Sequence, residues 1–191
     1  MLSGIFTFKR YLALILGLTL LLSVKIGLAA EPHLDIARDG RVFTLKAYID
    51  VERSADQVWP CLWEFRHMSS YIDDVYRIDS IAGGEDWYMV RLVGNFPFVH
   101  AEVTNRKWII EEGRHIGAKA TECQLETFLP LKLISSDGYW RIEPLGNSRS
   151  RIHYQTVVEV YAAGFEALYI PIAKRDGKRI MKNFKRYVES R

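Results

Sequence analysis

Cysteine is scarce in this chain: Cys61 and Cys123 are its only two. Neither has CxxC spacing or a histidine partner, which argues against a reactive or redox-active thiol. Both stand in apolar contexts, so two buried, unbonded thiols are expected. Five histidines (His33, His67, His100, His115 and His153) show no paired helical spacing, so a zinc site is not expected. There is no GxSxG elbow for a hydrolase triad. Gly83-Gly84 lacks the lysine and hydroxyl residue of a phosphate-cradling loop. The sequence therefore assigns no metal, no cofactor and no catalytic residue.

A surplus of one charge sign is missing too, once the first thirty residues are set aside. The 26 lysines and arginines, less Lys9, Arg10 and Lys25, equal the 23 acidic residues in number. The basic excess belongs to that leader, and a nucleic-acid reading from net charge fails. Lys9-Arg10, the apolar run 11–22 and the small residues Leu28-Ala29-Ala30 form a secretory signal pattern. Residues 1–30 are thus expected to be cleaved, leaving a periplasmic or secreted protein. The alternative is an uncleaved segment that anchors the chain in a membrane, although Lys25 interrupts its span. Residues 31–41 read as a lead-in and 42–191 as one domain, long enough for a real core.

The chain that follows is rich in alternation. Phe43, Leu45, Ala47, Ile49 and Val51 share one face of a first strand. Ser54-Ala55-Asp56-Gln57 has the form of a capping box and opens a short helix that contains Pro60. Six strands follow, most of them separated by glycine or asparagine turns. The exception is the long connection 128–137. Near the C-terminus, apolar residues including Ile172, Ala173, Gly177, Ile180, Met181, Phe184, Tyr187 and Val188 gather on one half of a helical wheel. Lysines and arginines fill the other half. So wide an apolar face belongs against a sheet.

The stretch Ile49-Asp50-Val51-Glu52-Arg53-Ser54-Ala55-Asp56-Gln57-Val58-Trp59 resembles the first strand, cap and helix start of the START/SRPBCC helix-grip superfamily. Phe65 through Tyr71-Ile72 and the Pro171-led basic helix extend the resemblance over roughly 43–190, closest to the polyketide-cyclase-like and coenzyme-Q-binding-like branch. It departs from the pattern at Pro60, inside the first helix, and at Asp73, where a proline is usual. The resemblance implies an α+β helix-grip fold in β-α-α-β6-α order, with a curved antiparallel sheet around the last helix. It also implies an apolar cavity between them, used to bind lipids, quinones or polyketides.

The wall of that cavity is expected to include Trp87, Met89 and Arg91 from one strand face, with Trp140, Tyr154 and Thr156 from later strands. Phe165, Leu168 and Tyr169 are expected to form a movable rim just before Pro171. The expected partner is a small apolar molecule such as a lipid or isoprenoid quinone, with a cyclase or dehydratase as the alternative. Lys174, Lys178, Lys182 and Lys185 are the candidates for contact with an anionic membrane surface, against the reading of a plain solvated face.

Overall fold

The computed structural model describes residues 31–191 except 97–98, 129, 165–166 and 168. Eight strands form one antiparallel sheet: β1 (His33–Asp39), β2 (Val42–Val51), β3 (Val75–Gly83), β4 (Trp87–Phe96), β5 (Val99–Glu111), β6 (His115–Glu126), β7 (Lys132–Pro144) and β8 (Ser150–Tyr161). Between β2 and β3 lie α1 (Ala55–Trp63) and a 3-10 segment (Phe65–Ser70), and α2 (Tyr169–Glu189) closes the chain. The order across the sheet is β1-β2-β8-β7-β6-β5-β4-β3. From β2 onward this is the expected helix-grip arrangement.

Two segments differ from the sequence reading. Residues 33–39, read as lead-in, form edge strand β1, joined to β2 by the two-residue turn Gly40-Arg41. Gly40 takes a φ of 58°, a value glycine adopts without penalty. Only Leu34 and Ile36 face inward on β1, too few for alternation to announce a strand. The second difference is the connection 128–137, because β7 already begins at Lys132 and pairs with Tyr161.

Local chemistry explains the helices. The Ser54 amide donates to Gln57 Oε1 at 3.1 Å, fixing the start of α1. Pro60 sits inside α1, which ends three residues later with the Glu64 amide donating to the Pro60 carbonyl. Helix α2 begins at Tyr169, two residues before Pro171. The proline therefore occupies the first turn, where a missing N–H leaves no bond unmade.

Ala173, Met181, Phe184 and Val188 of α2 are buried against the sheet. Phe184 packs edge-on to Tyr71 at 5.0 Å and lies 5.8 Å from Trp140, measured between ring centroids. Burying one such side chain contributes about 1.5–3 kcal/mol. Ile172, placed on the apolar half by the wheel, is 44% exposed. Asn183 is buried in its place because Asp73 and Arg186 satisfy its amide, the first through a 2.6 Å bond. Asp74 pairs with Arg179, so two consecutive acids bind the start of β3 to α2.

Candidate functional site

The register of the sheet brings one row of side chains to the same inward face: Tyr88, Lys107, Ala118, Gly138, Thr156 and Leu45 stand opposite one another from β4 to β2. The middle of this row is small. Gly177 of α2 lines the same space, so helix and sheet leave a void. A Cβ on Gly138 would lie 2.3 Å from the Gln155 carbonyl oxygen, so the close approach of β7 to β8 needs glycine there.

The void has a volume of about 170 Å³. Met68, Tyr71 and Ile72 close one side, Ile180 and Met181 of α2 another, and Trp140 with Tyr154 a third. The last two rings pack at 4.4 Å. An apolar cavity of about 150 Å³ takes up a benzene ring, whereas sites for larger ligands run to roughly 300–1,000 Å³. This cavity therefore admits a single ring or a short chain as it stands.

Four polar side chains interrupt the apolar wall: Asn105, Lys107, Ser136 and Thr156. The Thr156 hydroxyl donates to the Asp137 carbonyl at 3.2 Å and lies 3.4 Å from Ser136 Oγ. Lys107 is only 4% exposed, and burial holds its pKa down at about 8. Burial also pushes up the Tyr71 and Tyr154 phenols, the latter opposed by a hydrogen bond with Thr156. Tyr88 lies beside Lys107 in the row, its hydroxyl buried without a partner among the described residues and its ring against Trp63 and Phe65.

Of the residues expected at the site, Trp140, Tyr154 and Thr156 line the cavity. Trp87, Met89 and Arg91 do not. They oppose Trp108, Arg106 and Thr104 on the other face of the sheet, and the Arg106 guanidinium covers the Trp87 ring. The inward face of β4 carries Tyr88, Val90 and Leu92 instead. Both faces are largely apolar in sequence, so alternation by itself does not distinguish them.

Tyr169 packs on Phe43 at 4.8 Å in a separate small cluster with Val158 and Val160. It is the first residue of α2 and not part of a lead-in; burial pushes its pKa up to about 12. Phe165 and Leu168 lie outside the described residues. Of Arg91, Tyr88 and His153, which an enzyme reading would draw into the cavity, Tyr88 stands on the inward face, whereas Arg91 and His153 face outward, His153 bonding Glu143 at 2.6 Å.

Lys107 is one of several lining residues that the sequence reading omits, with Asn105, Ser136 and Gly138 among the others, yet the alternation of β5 contains its signal. Ala101, Val103, Asn105, Lys107 and Ile109 share a face, and a lysine inside a largely apolar stripe marks a buried charge. The basic face of α2 also needs correction. Lys174 and Lys182 are exposed, but Lys185 is folded onto the protein, with Nζ bonded to the Asp50 carbonyl and to Glu189, each at 2.7 Å.

The family described as "Polyketide cyclase / dehydrase and lipid transport" matches residues 42–189. Among solved structures, the Zhui aromatase/cyclase from Streptomyces sp. R1128 is similar at 16% identity and a TM-score of 0.67, over 78% of this chain and 95% of that one. A START superfamily protein from Mycobacterium smegmatis is similar at 13% identity and 0.64, over 77% and 97%. Human STARD10 is similar at 12% identity and 0.63, over 83% and 73%. At these identities the likeness is one of fold. No curated protein matches the sequence.

Proposed function

This chain belongs to the polyketide cyclase/dehydrase and lipid-transport family of the START/SRPBCC superfamily, and from that premise we propose that it is an exported binding protein for a small apolar molecule. The observation that carries the reading is the void between the sheet and α2, walled mainly by apolar side chains and left open by Ala118, Gly138 and Gly177. A ring or short chain fits the volume; a whole lipid or isoprenoid quinone enters only if the walls move.

Trp140 in the wall makes tryptophan fluorescence the natural probe. Titration with primary alcohols from butanol to dodecanol should show affinity rising by about 0.8 kcal/mol per methylene, then levelling once the cavity is full. Affinity indifferent to chain length overturns the reading. A rise that continues to dodecanol supports moving walls and the lipid class. Export rests on the leader pattern of residues 1–30. An intact mass beginning near Ala30 or Glu31 supports it, and retention of Met1 in a membrane fraction overturns it.

The same proposal has Lys174, Lys178 and Lys182 touch an anionic lipid surface during loading, each contributing about 1 kcal/mol. Sedimentation with acidic vesicles but not neutral ones is the expected result. The second reading is a cyclase or dehydratase acting on a polyketide-like or aromatic substrate. The polar groups within the cavity wall favour it, and turnover abolished by changing one of them would establish it over binding.

A further inference from the structure

Among the described residues lining the cavity, Lys107 alone carries a charge, and no carboxylate faces it there. Its Nζ forms no hydrogen bond or ion pair with another described residue, and burial is the one influence on its proton affinity. A buried ammonium is unfavourable unless something shares its charge. Elsewhere this protein provides such partners: Lys185 has Glu189, and Arg151 has both oxygens of Asp50. Lys107 has none, and it points into a space large enough for a ligand.

Two residues away on the same strand face stands Asn105, whose side chain also lines the cavity and has no hydrogen-bond partner among the described residues. An ammonium and an amide N–H side by side offer donors to the two oxygens of a carboxylate, and a charge-assisted hydrogen bond is among the strongest available to a protein. Elsewhere in the lining, Ile72, Trp140, Ile180 and Met181 offer mainly apolar surface to the body of a ligand. At neutral pH the lysine, with its pKa near 8, is still mainly a cation.

We propose that Lys107, assisted by Asn105, anchors the acidic end of the ligand, and that the ligand is a small carboxylic acid with an apolar body. This rests on the binding reading above and adds the chemical class. The test is a comparison of hexanoate with hexanol, two probes of equal chain length, titrated by calorimetry or NMR against the purified protein at neutral pH.

The expected result is at least tenfold tighter binding of hexanoate. Lys107→Met should erase that preference, read as the ratio of the two affinities within the same variant. Lys107→Gln repeats the test without an apolar replacement, and a cooperative melt for either variant shows that it is folded. Equal affinity of the wild type for both probes overturns the anchor and leaves the binding reading standing. A preference that survives in both variants also overturns the anchor. Failure of the wild type to bind either probe overturns the binding reading together with the anchor.

Discussion

Replacing Lys107 by methionine should make the protein more stable at neutral pH and flatten part of its pH dependence. Burial lowers the pKa of this lysine from its ordinary 10.5 to about 8 in the folded chain. Each tenfold change in proton affinity is worth about 1.4 kcal/mol, so holding the charged form inside costs about 3 kcal/mol below pH 8. Between pH 8 and 10.5 the unfolded chain keeps this proton while the folded chain has released it. The unfolded state then binds more protons, and stability rises with pH. From pH 7 to 9.5 this group should add about 2 kcal/mol to the wild type and nothing to Lys107→Met.

Urea unfolding followed by tryptophan fluorescence reads the effect. At a slope of about 2 kcal/mol/M it is a shift of about 1 M in the midpoint difference between the two proteins. Cys61, Cys123 and the buried tyrosines act in the opposite direction above pH 9 to 10. Their pKa values are raised by burial, so the folded state is the one that keeps their protons. Both proteins contain these groups, and their effect cancels in the difference. Parallel pH curves for wild type and variant, or a variant less stable at pH 7, would refute the reasoning and show that Lys107 is solvated or paired.

Three further outcomes are expected. A Cβ on Gly177 would lie 2.6 Å from Leu34 Cδ1; Gly177→Leu should therefore cost about 1–3 kcal/mol by overpacking despite a better helix propensity, and a variant that melts no lower than wild type contradicts the close approach of α2 to β1. Gly117 lies under the Trp108 indole, where an added Cβ would stand only 2.3 Å from the ring; Gly117→Ala should lower the melting temperature by about 3–10 °C, read by calorimetry. Asp50 accepts two bonds from Arg151, at 2.7 and 3.0 Å, which hold its pKa below the ordinary 3.8. Asp50→Asn should therefore cost about 1 kcal/mol at neutral pH, and its stability gap to wild type should close as pH falls below 3.8, where the wild-type carboxylate takes up its proton; a gap that persists at about pH 2 argues against the ion pair.

Much of this architecture is legible without coordinates, because it depends on local contrast. The alternation of Phe43, Leu45, Ala47, Ile49 and Val51, the Ser54–Gln57 cap and the two-sided wheel of α2 each set apolar against polar residues at a defined period. That contrast determines the elements, their order and the need for a sheet against the last helix. The inward placement of Trp140, Tyr154 and Thr156 follows from the same kind of pattern.

What the tertiary structure decided lies where that contrast is weak or where distant residues act together. Strand β4 is apolar on both faces, so only its pairing with β5 shows that Tyr88 points inward and Arg91 outward. Strand β1 has two inward residues and depends on β2 to be a strand at all. Asn183 interrupts an apolar face because Asp73, 110 positions earlier, satisfies it. The cavity arises where Ala118, Gly138 and Gly177 meet, and small residues leave no periodic mark in a sequence. Their effect is an absence of side-chain volume, which exists only once the three are brought together, and Lys107 becomes a candidate anchor only because that empty space lies in front of it.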